Sequence, residues 1–149
     1  MRRDYFTLNA AGTTVEEPSP PVVSITYEGP REELESRLHG EAGRLDEEGV
    51  DVAYRLRDLL EADDPMGVLA VSDRITGEYV LELNAEADSV FAVTDAAGND
   101  ADGSGRYRLV IETEDGTELA AYEKSTLLVY DTDGDLLRDR SLIPSGVEI

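Results

Sequence analysis

Residues 51–57 read Asp51-Val52-Ala53-Tyr54-Arg55-Leu56-Arg57. Val52, Tyr54 and Leu56 alternate with Asp51, Ala53, Arg55 and Arg57, and a period of two sets one face of an extended segment in a core and the other in water. The pattern recurs on both sides of this stretch. Upstream, Val23, Ile25 and Tyr27 alternate with Val22, Ser24, Thr26 and Glu28 until Gly29-Pro30 ends the run. Downstream, 68–72 and 79–83 read as a hairpin across Ile75-Thr76-Gly77, whose second strand buries Tyr79, Leu81 and Leu83. Tyr107, Leu109 and Ile111 open a further meander that turns at Asp115-Gly116 into 119–123. Residues 126–130 are apolar on both faces, which suits a central strand, and Asp133-Gly134 then turns the chain toward Leu136, Leu137, Leu142 and Ile143.

Two segments depart from this period. Leu34 and Leu38 are four apart, as on a helix, but Leu34, Ser36 and Leu38 also alternate, and 31–38 is read as strand. The clear helix follows Asn84, a candidate N-cap. Glu86 and Asp88 lie where the helix dipole favours acids, Val90, Val93 or Thr94, and Ala97 recur at helical spacing, and Gly98 stands at the C-terminal stop. Seven or more strands with close turns and one helix predict a mainly β, antiparallel sandwich-like domain. The alternative is an α+β fold with a single antiparallel sheet. Residues 1–9 read as an N-terminal strand and 10–21 as a connector, because Pro18, Pro20 and Pro21 support neither a helix interior nor a paired strand. The remainder, 22–149, reads as a single β-rich domain.

Composition limits what such a domain can do. Acidic residues outnumber basic ones 34 to 13, the formal net charge is -21, and Lys124 is the single lysine. In dilute buffer that charge repels itself. At molar salt the Debye length falls to roughly 3 Å, so the predicted solvent is a cytoplasm at molar KCl. Arginine fits that solvent, since its weakly hydrated head holds carboxylates bidentately. Nucleic acid and anionic membrane surfaces are disfavoured as partners, because both are met by clustered basic residues. The pairs Arg2-Arg3, Arg55/Arg57, Arg106/Arg108 and Arg138/Arg140 are too few, and the last three alternate as solvated strand positions do. With no cysteine there is no disulfide, thiolate metal site or cysteine nucleophile. No apolar run reaches the roughly 18 residues of a membrane span, and the first residues lack the apolar region of a signal peptide. No cofactor is expected.

Each candidate site has a plainer reading beside it. Asp131-Thr132-Asp133-Gly134-Asp135 resembles the start of a calcium loop, but Leu136 stands where that loop needs glycine and Leu142 where it needs a bidentate acid. A looser cation site through Asp131, Asp133 and Asp135 remains, against three aspartates brought close by composition alone. His39, the sole histidine, reads as a turn residue. Lys124 could be a buried amine serving as base or Schiff-base former with Tyr130 and Asp131, or could pair with a carboxylate or snorkel into water. Ser145, after Pro144, lacks any base or oxyanion hole to make it a nucleophile.

The strings Arg2-Arg3-Asp4-Tyr5-Phe6-Thr7-Leu8-Asn9, Val50-Asp51-Val52-Ala53-Tyr54-Arg55-Leu56 and Tyr122-Glu123-Lys124-Ser125-Thr126-Leu127-Leu128-Val129-Tyr130-Asp131 resemble a family of small haloarchaeal proteins known only as a domain of unknown function. The ending Ser141-Leu142-Ile143-Pro144-Ser145-Gly146-Val147-Glu148 resembles it too. That resemblance implies a haloarchaeal cytoplasmic origin and carries over no catalytic or binding residue. The function expected from the residues is a non-catalytic interaction or accessory module, binding a protein partner or a second copy through a sheet edge or an apolar tail with Leu142, Ile143, Val147 and Ile149. The alternative is a small enzyme, or a divalent-cation or small-ligand binder, using the carboxylates near Lys124.

Overall fold

A computed structural model of the chain describes residues 5–11, 21–40, 43–46, 48–98 and 106–143. Most of the expected connector, residues 99–105, and Ser145, Val147 and Ile149 lie outside the described residues.

The elements in chain order are β1 (Phe6–Ala11), β2 (Val22–Tyr27), α1 (Arg31–Arg37), β3 (His39–Gly40), β4 (Gly43–Arg44), β5 (Val50–Leu56), β6 (Met66–Asp73), β7 (Tyr79–Glu86), α2 (Ala87–Gly98), β8 (Tyr107–Thr113), β9 (Glu118–Lys124) and β10 (Leu128–Tyr130). They build two four-stranded sheets, ordered β1-β2-β8-β9 and β10-β5-β6-β7, with β3-β4 as a small ribbon. The protein is mainly β and sandwich-like. Inward side chains of both sheets form one core with Tyr27, Tyr54 and Tyr107 among its largest fully buried members. A mainly antiparallel arrangement is interrupted once in each sheet, where β2 runs parallel to β8 and β10 parallel to β5.

Buried tyrosine needs a partner for its hydroxyl, and backbone carbonyls supply it. Tyr27 donates to the Pro30 carbonyl at 2.8 Å, Tyr54 to that of Ala85 at 2.9 Å and Tyr107 to that of Thr126 at 2.9 Å. The Tyr54 ring needs space over β6, and Gly67 provides it. A Cβ at Gly67 would sit 2.5 Å from both the Tyr54 ring and the Arg55 carbonyl oxygen. Burial pushes the hydroxyls of Tyr54 and Tyr107 well above the ordinary tyrosine range, and at Tyr54 the nearby Asp58, Asp88 and Glu86 carboxylates add to the effect.

Four local expectations change. Residues 31–37 are helix, not strand, and there are therefore two helices. Leu34 and Leu38 are both buried and the cap N–H of Leu38 bonds back to Leu34, so the four-residue spacing wins over the alternation. Asn84 is not an N-cap, because β7 runs on to Glu86 and passes directly into α2. The helix still buries Ala87, Val90, Val93, Thr94 and Ala97 as their spacing requires, with Phe91 beside them. In β7 the inward set is Leu81 and Leu83 without Tyr79, which is 57 % exposed. A bulge at Val71/Ser72 makes Val80 the extra residue, so the alternation changes phase there and Val80 is buried instead. Finally, 128–130 is an edge strand of the second sheet and not a central one. Its outer edge is covered by its own continuation. The turn at Gly134 (φ +85°) folds the chain back, with bridges Tyr130 to Leu136 and Leu127 to Leu142.

Candidate functional site

Lys124 is the last residue of β9 and faces the core beside Tyr107, its partner across the ladder. It is only 7 % exposed, and its Nζ donates to the Val50 carbonyl oxygen at 2.8 Å. Because Val50 opens β5, the amine crosses from one sheet to the other and ties the edge of the first to the start of the second. An inward-pointing charge on an edge strand also blunts that edge against pairing with another chain. Tyr130, the catalytic companion considered for Lys124, pairs with Arg55, five residues farther along β5. At 3.3 Å per residue that is about 17 Å away. The structure does not bring Lys124 together with Tyr130 and Asp131.

The three aspartates do come together. Ligand oxygens of Asp131, Asp133 and Asp135 lie within 4.8 Å of one another. Asp131 Oδ1 accepts the backbone N–H groups of Asp133 and Asp135, each at 2.9 Å, and the Asp131 N–H donates to the Asp135 carbonyl at 2.9 Å. These bonds shape the Gly134 turn. His39 is exposed, and its Nδ1 donates to the Glu35 carbonyl at 2.9 Å, closing the end of α1. Leu142 is 6 % exposed and exchanges both backbone hydrogen bonds with Leu127, so its surface belongs to the core. Ile143 beside it is half-buried.

The most site-like surface was not among the sequence candidates. It lies on the outer face of the second sheet, where Ala53 pairs with Ala70 and Ala70 with Glu82, while Arg55 pairs with Tyr130 on one side and Val68 on the other. Small residues occupy the middle, and Tyr130 and Tyr79 stand toward the two edges. The result is a trough of about 750 Å³, open to solvent. Arg55 on β5 and Arg57 just past its end both line the trough, about 7 Å apart along the chain. Neither forms an ion pair with a carboxylate among the described residues; the exposed pairs there are Arg31–Glu35, Arg74–Asp51 and Arg108–Glu118. A second hollow, about 540 Å³ beside α2, is walled by Asp63, Asp64, Asp88 and Asp95. Its cation, Arg140, is held 4.7 Å over the Phe91 ring.

A signal for the trough was present in the sequence. Outward positions of strands usually carry long polar side chains, whereas Ala53, Val68 and Ala70 are short and apolar on the side that alternation assigns to water. Only knowledge of the pairing of β5 with β6 sets them side by side.

Among the described residues, no helix is long and apolar enough to cross a membrane. No curated protein and no solved structure matches the chain. One family does match, along residues 1–149, and the chain belongs to it: a family of unknown function (DUF5793).

Proposed function

We propose that this chain is a non-catalytic interaction module, working in a salt-rich cytoplasm, whose recognition surface is the outer face of the second sheet. The observation that carries this reading is the trough itself: small, partly apolar residues in the middle, exposed tyrosine at a rim, and two arginines that no described carboxylate neutralises. Tyrosine and arginine are the residues in which protein interfaces are enriched and from which their strongest contacts are drawn. Separation of Lys124 from Tyr130 and Asp131 supports the non-catalytic part. Salt-rich solvent is supported by a net charge of -21 and by described ion pairs that all lie in water, where each is worth only about 0–1 kcal/mol.

Ala70→Arg fills the trough from its middle without touching the core. The tagged wild-type chain and this variant are purified at molar KCl and compared for what co-purifies in stoichiometric amount. A partner held by wild type and lost by an equally stable Ala70→Arg supports the reading; a partner held equally by both refutes it. For the solvent, the melting temperature falls as KCl is diluted from molar to millimolar, and a flat curve contradicts a salt-rich habitat.

A further inference from the structure

We infer that the trough docks an extended acidic segment of a protein partner, with the partner's carboxylates on Arg55 and Arg57. This rests on the reading of that face as the recognition surface, and it adds the chemistry of what is recognised.

Shape argues for a chain and not a small molecule. Small-molecule sites are enclosed and bury roughly 70–90 % of their ligand. This trough is open. Three strand spacings make it about 14 Å wide, and its lining runs along the chain from Ala53 to Arg57, about 13 Å, the length of about four extended residues. Successive side chains of such a segment point alternately toward and away from the sheet, so every second one meets Ala53, Val68 or Ala70.

Charge selects the acidic class. In a protein with 34 acidic and 13 basic residues, an arginine without an ion pair to a described carboxylate is against the odds of composition, and here two line one trough with one residue between them. At the far end of β5 the carboxylate of Asp51 is already held by Arg74 at 2.9 Å. Glu82 on β7 is the carboxylate lining the trough, across β6 from β5. The cations of the trough therefore lie on its β5 side, which draws the carboxylates of a bound segment toward that side. Guanidinium groups hold carboxylates through two parallel hydrogen bonds, a contact short enough to persist when molar salt has screened longer-range attraction. Two arginines are too few for a nucleic-acid backbone.

The test is an amide NMR titration of the full chain in molar KCl with a capped hexapeptide alternating glutamate and valine. Glutamine/valine and lysine/valine peptides and free citrate serve as comparisons. Shifts at Ala53, Arg55, Val68 and Ala70 are expected with the acidic peptide, with affinity at least tenfold above that of the lysine peptide. Arg55→Glu combined with Arg57→Glu reverses that order. Equal binding of the neutral or lysine peptide overturns the inference, as do shifts confined to another surface, or citrate matching the peptide. Concentration-dependent shifts at the trough with no peptide present assign it to a second copy and also overturn it. Failure here combined with loss of a co-purified partner in Ala70→Arg leaves the recognition face standing and removes only its acidic specificity. Failure of both removes the face.

Discussion

The second sheet has two faces made from the same strands, and they are built by opposite rules. Inward, Val52, Tyr54, Leu56, Leu69, Val71, Leu81 and Leu83 are all buried, and the Tyr54 hydroxyl finds the Ala85 carbonyl. Among the described residues no buried side-chain nitrogen or oxygen lacks a hydrogen-bond partner. Outward, alternate positions of those strands carry Ala53, Val68 and Ala70, which fill nothing, and Arg55 and Arg57, which neutralise no described carboxylate. A face selected for stability is large, dry and satisfied. The outer face is small and incompletely paired in charge, as a surface awaiting a partner is.

The contrast is sharpest at Tyr54. Tyr54→Ala removes a fully buried ring and is expected to cost about 3–5 kcal/mol, read by urea denaturation at molar KCl. A much smaller loss would mean that the inner face is looser than its packing indicates. Lys124→Met takes the amine from the Val50 carbonyl while keeping most of the side chain's volume. An expected cost of about 1–3 kcal/mol makes Lys124 a tie between the sheets. A neutral result would reduce it to packing.

Alkaline pH probes the same inner face. Tyr54 and Tyr107 keep their protons in the fold above the ordinary tyrosine pKa near 10, at which the unfolded chain releases them. Their stabilisation is therefore whole below about pH 10 and is lost as pH rises beyond it. The denaturation midpoint should drop above pH 10, and Tyr107→Phe should lessen the drop after a baseline cost of about 1 kcal/mol. An unchanged alkaline limb in that variant would show that the phenol is not the titrating group. The smallest effect belongs to the outer face: Ala70→Ser should change stability by no more than about 0.5 kcal/mol. A loss comparable to that of Lys124→Met would mean that this face is structural, and the comparison would collapse.

Sequence alone revealed the inner face more readily than the outer one, for a physical reason. Burial selects large side chains at every second position, so Val52, Tyr54 and Leu56 announce themselves locally. The trough depends on Ala53, Ala70 and Tyr130 being neighbours, and that follows from pairings between distant segments, one of them the parallel contact of β10 with β5. The bulge that turns Tyr79 outward was hidden for the same reason: a change of phase belongs to a pair of strands and not to one. Lys124 stood out as the single lysine, yet its place was not legible, because the Val50 carbonyl it meets is 74 residues away. At 31–37 the local signal was ambiguous, and burial of both Leu34 and Leu38 decided for helix.

The most direct test of the claim that the outer face recognises a partner is side-chain footprinting by hydroxyl radicals. It is run on the isolated chain and on the chain with whatever co-purifies at molar KCl. Tyr79 and Tyr130 are predicted to be oxidised in the isolated chain and protected in the complex, while exposed Leu59 and Ile75 react equally in both. Protection of Leu59 or Ile75 with Tyr79 and Tyr130 unchanged would place the interface elsewhere and contradict the account.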